Sequence, residues 1–345
     1  MEKTVPREDF LRLLECVRPA VTPKDISEQS SCVAFKGGFL HAYSEDVYCR
    51  VKTPFPEEWE GAVPFPPLYT ILSKLSESEV SVVLTKNEIS IKGKGRQTDI
   101  RAEAQITMPF DGVTLPKKED WKKTSPHFAD ALSLVESCAG KDADDFGLTC
   151  IHITPKFVEA ADKISQMARH YVKTGLESPV LIRRDSLAPV AAMAPIKIAV
   201  AGNWLHMRTA AGSLYSARLN EGGYVNLDKA FEIKGQKVSL PKGLKEASDK
   251  AEVFSSEDKD NNLVMVTLVP GKVRLKGTGD SGQHREWKKI QYTGPSMSFM
   301  VSPKLLREIL DRNNEVHIQS DRMIVGSDKW VYASILVRNE EKGEE

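Results

Sequence analysis

Apolar residues recur along this chain at two periods, one typical of helices and one typical of strands. Leu68, Ile71, Leu72 and Leu75 fall at positions i, i+3, i+4 and i+7 of segment 63–75, which places them on one face of a helix. Two prolines stand just before them and favour a helix start. The residues that follow alternate between apolar and polar, which predicts a strand, a turn and a second strand.

The same order of helix and hairpin returns twice farther along the chain. It recurs in segment 180–208 and again in segment 299–326. The helix anchors of the three copies, Leu68, Leu187 and Leu305, are 119 and 118 residues apart. A nearly constant spacing of this kind indicates an internal repeat.

A second helix and hairpin accompany each copy. Their hairpins contain equivalent apolar positions, Leu40, Val158 and Val273, which are 118 and 115 residues apart. The amphipathic segments that precede them are REDFLRLLECVRPAV, HFADALSLVESCA and LPKGLKEASDKAEVF. The pattern therefore predicts an α+β protein of three tandem modules, each built as helix, hairpin, helix, hairpin over about 115 residues.

Polar segments rich in turn formers separate the predicted modules. We predict a first module at 1–115, a second at 122–219 and a third at 224–338. The remaining residues, 339–345, are mostly charged. They are predicted to form a tail that frays in solvent.

The composition is typical of a soluble globular protein with more than one domain. The chain has 345 residues, of which 41% are hydrophobic and 28% are charged. No apolar run approaches the roughly 20 residues of a membrane-spanning helix. The first residues, MEKTVPREDF, lack the basic-then-apolar order of a secretion signal. We therefore expect a cytoplasmic protein with no membrane partner.

The residue types that usually hold metals or cofactors are scattered. The five cysteines form no C-x-x-C pair, and the seven histidines form no H-E-x-x-H motif, so neither a zinc site nor a disulfide framework is predicted. The phosphate-cradling pattern G-x-x-x-x-G-K-[ST] is also absent from the sequence. We expect no metal, no cofactor and no catalytic residue.

One stretch, KGTGDSGQ at 276–283, contains two patterns that are common in enzymes. Gly277, Gly279 and Gly282 have the spacing of a dinucleotide-binding loop, and Ser281 lies in a G-D-S-G tetrapeptide like that of many serine proteases. A dinucleotide loop must open a helix, whereas the following residues, HREWKKIQY, have the pattern of an extended segment. We interpret the stretch as the turn of a hairpin. A serine hydrolase that uses Ser281 is the alternative.

The three-module organisation resembles the β sliding clamp of bacterial DNA polymerase III, or a phage version of it. The resemblance covers residues 6–338, and the best local matches are MSFMVSPKLLREIL and YASILVR. In that family six modules close a ring, with helices on the inner wall and strands in a continuous outer sheet. A three-module chain would form half of such a ring and complete it as a head-to-tail homodimer. The family usually has a proline in the last matched strand, where Leu336 here runs straight into Val337.

This resemblance implies a non-catalytic DNA sliding clamp, which is a processivity factor of DNA replication. Such a protein encircles double-stranded DNA without reading its sequence. It tethers DNA polymerase and the clamp loader through short apolar peptide motifs that dock in a hydrophobic cleft. A clamp-like scaffold that binds partners without encircling DNA is the alternative.

A sliding clamp needs phosphate-directed charge on its inner helices. The total charge gives no such indication, because Lys+Arg and Asp+Glu balance at 48 each. Basic residues on helix faces and ends are the candidates, together with a lysine in the TPKD loop that matches a DNA-contacting position of the family. The predicted DNA contacts are Arg12, Lys24, Lys74, Arg183, Arg184, Lys242, Lys245, Lys304 and Arg307. The alternative for each is a solvated helix face with acidic neighbours.

Two further surfaces follow from the resemblance. The positions that match the family's partner-peptide cleft are Leu148, Ala161, Lys163, Met167, Phe231, Ile335 and Leu336. The positions that match its dimer interface, between the first module of one chain and the third of the other, are Val253 and Phe254, with Ile100 as the expected opposite wall. Ordinary core packing is the alternative for Leu148, Ile335 and Phe254.

Overall fold

The structure, a computed structural model, describes residues 2–24, 27–141, 143–162, 166–257, 262–319 and 322–335. Its α-helices are α1 (Arg7–Val17), α2 (Phe65–Lys74), α3 (Phe128–Glu136), α4 (Arg184–Leu187), α5 (Val190–Met193), α6 (Leu244–Ser255) and α7 (Pro303–Arg312). Its β-strands are β1 (Glu2–Pro6), β2 (Cys32–Lys36), β3 (Phe39–Tyr43), β4 (Val47–Lys52), β5 (Gly61–Pro64), β6 (Glu79–Leu84), β7 (Glu88–Gly93), β8 (Arg96–Arg101), β9 (Lys122–Lys123), β10 (Cys150–Ile153), β11 (Phe157–Ala161), β12 (Gln166–Tyr171), β13 (Val180–Arg183), β14 (Lys197–Ala201), β15 (Trp204–Arg208), β16 (Leu214–Arg218), β17 (Gln236–Ser239), β18 (Val264–Val269), β19 (Lys272–Gly279), β20 (Gly282–Lys289), β21 (Met297–Val301), β22 (Glu315–Ile318), β23 (Arg322–Gly326) and β24 (Trp330–Ile335).

The longer helices form where the helical spacing of apolar residues predicts them. In α1, Phe10, Leu14 and Val17 are buried at i, i+4 and i+7. In α2, prolines occupy the first turn, where a missing backbone N–H costs no hydrogen bond, and Leu68 and Leu72 are buried. The helix predictions for these two segments are confirmed.

The helix predicted around Leu187 is not continuous. The segment forms two short helices, α4 and α5, on either side of Ala188 and Pro189. Proline has no backbone N–H to donate, and its ring clashes with the preceding turn. The prediction of a single helix here is therefore wrong.

The predicted hairpins extend into a third antiparallel strand. In the first part of the chain β2 pairs with β3 and β3 with β4, while β6 pairs with β7 and β7 with β8. Strand β8 buries only Ile100 among its six residues, so its alternation is too weak to predict a strand from the sequence. The hairpin predictions are correct but incomplete.

The chain divides into two compact units, the first of which contains residues 1–129 and 174–220. This unit has a four-stranded sheet in the order β1-β6-β7-β8 and an eight-stranded sheet in the order β5-β2-β3-β4-β16-β15-β14-β9. Helix α1 packs against β3 and β4. Phe55 lies between Phe10 and Trp59, with ring centroids 4.9 and 4.8 Å from its own.

The second unit contains residues 130–173 and 221–345. One of its sheets has the order β20-β19-β18-β21, and its other strands follow the order β10-β11-β12-β24-β23-β22-β17. Helix α6 packs on β19 and β20 and also contacts α7. Apolar side chains of α6, including Leu244, Ala247 and Ala251, are fully buried.

The boundary between the units passes through the second predicted module, 122–219. Its early strands lie beside the third predicted module, because β12 pairs with β24. Its later strands lie beside the first, because β16 pairs with β4. Backbone hydrogen bonds thus join strands of neighbouring modules into shared sheets. The three-module division itself stays a prediction.

The glycines of KGTGDSGQ allow α6 to lie directly on a hairpin. The stretch spans the end of β19 and the start of β20, and the strand β20 follows it where a dinucleotide loop would need a helix. A Cβ at Gly277 would overlap the carbonyl oxygen of Ala251, and one at Gly279 would overlap that of Phe254. The predicted hairpin is confirmed. Two of its glycines serve helix-to-strand packing, and only Asp280 and Ser281 form the tip.

We predict that Gly277→Ala destabilises the protein, because the added methyl group must displace the backbone of α6. Forced overpacking of this kind costs about 1–3 kcal/mol. Urea unfolding followed by circular dichroism should therefore show a lower midpoint for the variant. Gly223→Ala is the matched control, since nothing lies within 4 Å of a Cβ at that position. Equal midpoints for the two variants would contradict the close approach of α6.

Candidate nucleic-acid and peptide interfaces

The predicted DNA contacts of the first unit differ in how freely their charge is presented. Arg12 extends from the exposed side of α1 and lies 3.1 Å from a carboxylate oxygen of Asp9. Lys24, in the loop after α1, and Lys74, the last residue of α2, are both exposed. Neither lysine makes an ion pair with any residue that the structure describes. These two positive charges are available to an incoming phosphate.

The two arginines near α4 are more constrained. Arg183 ends β13, and its guanidinium lies 3.3 Å from Asp46. Arg184 opens α4 and is half-buried. The predicted basic pair is therefore adjacent in sequence but divided between a strand end and a helix start.

In the second unit, two lysines of the predicted set are exposed without an ion pair to the described residues. Lys242 lies in the turn before α6, although the sequence pattern placed it within that helix. Lys304 lies in the first turn of α7. Together with Lys24 and Lys74 they are the cations best able to bind phosphate without first giving up a carboxylate.

The other two cations of this unit are held by acidic neighbours. The Lys245 ammonium lies 2.7 Å from Asp311. The Arg307 guanidinium is half-buried and contacts both Asp249, at 3.2 Å, and Glu252. These pairs match the alternative of a helix face with acidic neighbours, and DNA would have to compete with the carboxylates.

Four residues predicted to line a peptide cleft lie in one apolar cluster of the second unit. Leu148, Ala161 and Phe231 are buried members of this cluster, and Met167 is a partly buried side chain packed against it. They reach it from different elements, since Ala161 ends β11, Met167 lies opposite it on β12, and Phe231 ends a 3-10 segment. The sequence placed these four positions in one surface, and the structure brings them together.

The remaining predicted cleft positions are at the edge of what is described. Ile335 ends β24 and pairs through its backbone with Arg322. Lys163 and Leu336 lie outside the described residues.

Further members of the cluster were missed by sequence reasoning. The buried ones are Leu227, Ile324, Val331 and Ala333, and Tyr224 packs against them. Val331 and Ala333 share one face of β24 because they are two residues apart. That alternation was the signal that could have found them.

Arg169 ties the 3-10 segment of the cluster to the neighbouring strands. Its Nε donates a hydrogen bond of 2.8 Å to Glu159 on β11, and its terminal nitrogen donates one of 2.9 Å to Asp228. Its guanidinium carbon lies 4.2 Å from the centre of the Phe157 ring and 4.9 Å from that of Phe231. The same side chain therefore contacts both ends of the segment that carries Phe231.

This arginine is buried and keeps its charge. Burial by itself lowers the pKa of Arg169, but the charge of the Glu159 carboxylate and the hydrogen bonds to Glu159 and Asp228 act together against that effect and leave the pKa raised. Glu159 is buried too, and its other oxygen lies 2.7 Å from Nδ1 of His152. Removing one member of a buried pair leaves an uncompensated charge. No local sequence pattern indicates this network, because Asp228 lies 59 residues from Arg169 along the chain.

The residues predicted for a dimer interface differ in how far their side chains are exposed. Val253 is 64% exposed near the end of α6, and Phe254 is half-buried against Gly282 of β20. Ile100 on β8 is buried in its own sheet, opposite Ile89. Val253 is thus an exposed apolar side chain, whereas Ile100 is buried in the sheet that contains β8.

Ser281 has the environment of a turn residue. Its hydroxyl and its backbone N–H both donate to the carboxylate of Glu257, just beyond α6. The hydroxyl's hydrogen bond is the largest cause of a lowered pKa for Glu257, followed by that of the backbone N–H.

Across the described residues, no three His, Cys, Asp or Glu side chains are grouped to hold a metal ion. In the same part of the chain, no helix is both long and apolar enough to cross a membrane.

Solved structures with a similar fold include bacterial sliding clamps. The DnaN sliding clamp (DNA polymerase III subunit beta) from Bartonella birtlesii, solved with griselimycin, matches with a TM-score of 0.78 and 15% identity over 98% of this chain and 100% of that one. The corresponding clamp from Pseudomonas aeruginosa, also with griselimycin, has a TM-score of 0.75 and 14% identity over 98% and 100%. The DNA polymerase III beta subunit from Thermotoga maritima has a TM-score of 0.75 and 15% identity over 98% and 99%. A scan against protein-family models and a search of curated proteins each gave no match.

The chain therefore has a DNA-clamp fold over nearly its whole length. Within that class its structural neighbours are DNA polymerase III beta subunits, so the fold is that of the β-type bacterial clamps. The resemblance stated from the sequence is confirmed at the level of the fold, and so is the mixed α/β class. At 13–16% identity the individual site residues stay predictions.

We predict that Asp228→Asn loosens the segment that carries Phe231, because the amide keeps the shape of the carboxylate but loses the ion pair with Arg169 and accepts a weaker hydrogen bond. Such bonds contribute about 1.5–3 kcal/mol when buried, and the Asp228 side chain is 68% exposed, so we expect about fivefold faster amide hydrogen exchange at residues 227–232. Mass spectrometry of exchanged peptides measures this rate. The matched control is Glu232→Gln, an exposed carboxylate that pairs with Lys234 instead. Equal exchange in both variants would contradict the role of Arg169.

Proposed function

We propose that this chain is a non-catalytic DNA sliding clamp and replicative processivity factor. Two chains would close a six-module ring around duplex DNA and tether a polymerase to it. The observation that carries the proposal is the fold match, which extends over 98% of this chain and at least 99% of each clamp chain compared. A role in replication would place the protein in the cytoplasm of a bacterium or of a phage-infected cell.

Sheet edges support the proposed head-to-tail homodimer. Among the described strands, β8 pairs only with β7, and β20 pairs only with β19. An unpaired edge is a template for another strand, and both edges lie beside positions predicted for the interface. In a closed dimer, β8 of each chain would pair with β20 of the other chain, so both sheet edges of both chains would gain a partner strand.

Exposed lysines support sequence-independent binding of duplex DNA. Lys24, Lys74, Lys242 and Lys304 are exposed and make no ion pair with the described residues. Lysine presents a flexible point charge that attracts phosphates without reading bases. Contacts of this type let a ring remain on DNA while it slides.

The apolar cluster supports the docking of partner peptides. Binding sites for short peptides combine apolar pockets with few polar groups. Phe231 and Leu148 are buried members of the cluster, and Met167, which packs against it, supplies an adaptable thioether. DNA polymerase and a clamp loader are the partners that this role requires.

A clamp-like scaffold that does not encircle DNA is the second candidate. The observation that favours it is the neutralisation of Arg12, Arg183, Lys245 and Arg307 by nearby carboxylates. A scaffold of this kind would bind apolar peptides as proposed above but would show no topological hold on DNA.

The distinguishing experiment is therefore topological. Protein mixed with nicked circular plasmid at micromolar concentration should co-elute with the plasmid in gel filtration and be released when a single restriction cut linearises it. Linear DNA with bulky protein blocks at both ends is the control, and it should retain the protein. Equal retention on open linear and circular DNA would contradict encirclement.

A further inference from the structure

Cations are concentrated on one face of the β19–β20 hairpin. The antiparallel register places Lys272 opposite Lys289, Arg274 opposite Trp287, and Lys276 opposite Arg285. Directly opposite residues in an antiparallel pair project from the same face, and these three rows lie two residues apart, or about 7 Å. We call this set of six residues the cationic face.

The cationic face is the side of the sheet turned away from α6. Residues on the opposite side contact that helix, since Gly277 lies against Ala251 and Glu286 lies 3.0 Å from Lys250. On the cationic face the β20 side chains are exposed, and Trp287 is 48% exposed. The described part of the chain provides no helix that covers it.

The charges of this face are not balanced within it. The hairpin contributes eight positions to this side, the remaining two being Thr278 and Gln283, and none of the eight is Asp or Glu. Lys272, Lys276, Arg285 and Lys289 make no ion pair with a described residue. In a chain whose charges balance at 48 each, this is a local surplus.

The paired cations of this face destabilise the hairpin unless an anion binds to them. Like charges directly opposite each other in a sheet repel, and the face contains two such pairs, in the first and third rows. An anionic ligand lying across the rows would convert this repulsion into attraction. Because the side chains are exposed and aligned, the ligand would be an extended polyanion.

The exposed tryptophan selects among polyanions. The Arg274 guanidinium carbon lies 5.3 Å from the centre of the Trp287 ring, between the two rows of paired cations. An aromatic ring among cations is the combination that binds single-stranded nucleic acid, with a base stacked on the ring and phosphates on the cations. Duplex DNA keeps its bases stacked inside, and an acidic peptide offers the ring no flat partner.

We infer that the cationic face binds single-stranded nucleic acid, with bases stacked on Trp287 and phosphates held by the flanking lysines and arginines. This site lies on the opposite side of the hairpin from α6, and it is distinct from Lys24, Lys74, Lys242 and Lys304, the lysines proposed for duplex DNA. The inference does not depend on ring closure. In the proposed ring the face would lie outside the pore, where it could hold a strand that is not encircled.

The test uses the full chain and a fluorescein-labelled oligonucleotide of twenty thymidines, with binding followed by fluorescence anisotropy. We expect Trp287→Ala to weaken binding about tenfold, which corresponds to loss of one stacked base. The double variant Lys276→Gln, Arg285→Gln should weaken binding and lower the slope of log affinity against log salt by about 1.4, which is two phosphate contacts. The double variant Lys86→Gln, Lys94→Gln is the control, because it removes the same charge at exposed lysines in the turns between β6 and β7 and between β7 and β8.

Four results would overturn the inference. The first is absence of binding by the unsubstituted protein at about 50 mM salt, where phosphate contacts are strong. The second is equal weakening by the control pair, which would indicate bulk charge. The third is loss of binding in the double variant Lys242→Gln, Lys304→Gln but not in Trp287→Ala, which would place the strand at the lysines proposed for duplex DNA. The fourth is binding of polyglutamate that is unaffected by Trp287→Ala, with no thymidine binding, which would indicate an acidic protein as the ligand.

Discussion

The last strand of a β-sheet has backbone hydrogen-bonding groups that only another strand, a cover or water can satisfy, and this constraint underlies most of the structure. Within the chain it is met by antiparallel pairing between strands that are far apart in the sequence, β4 with β16 and β12 with β24. At β8 and β20 the described chain offers no further strand. The proposed homodimer follows from the same need, because a second copy supplies the missing partner at both edges.

The β19–β20 hairpin combines three roles, and each role uses a different part of the hairpin. Its glycines let α6 approach closely on one side, and this approach fixes where Val253 and Phe254 project. The outer edge of β20 is the proposed dimer contact. The side away from α6 carries the cations and Trp287. Alternation along a strand makes this division possible, since successive side chains point to opposite faces.

Much of the fold could be predicted from the sequence, because helical spacing and alternation reflect burial directly. The buried stripe of α1 and the proline-led start of α2 are examples. The prediction was wrong where a proline interrupts the helical spacing of apolar residues, because Pro189 divides one expected helix into two. Strand β8 was missed for a different reason, since only Ile100 marks its buried side.

The candidate site was predictable only in part. Family resemblance was enough to place Leu148, Ala161 and Phe231 together, and the three residues lie in one apolar cluster, while their role in a peptide cleft stays a prediction. It could not indicate Arg169, because a buried arginine depends on partners 10 and 59 residues away along the chain. The sequence also could not indicate that the charge of Lys245, a predicted DNA contact, is paired, since the carboxylate beside it comes from α7.

If two chains complete each other's sheets, sedimentation equilibrium of the protein at micromolar concentration should show a particle of two chains. Val253→Asp should shift the protein to single chains, while Val225→Asp, a change at another exposed valine of the same unit, should not. A single chain for the unsubstituted protein, or a dimer indifferent to Val253→Asp, would contradict the proposed homodimer.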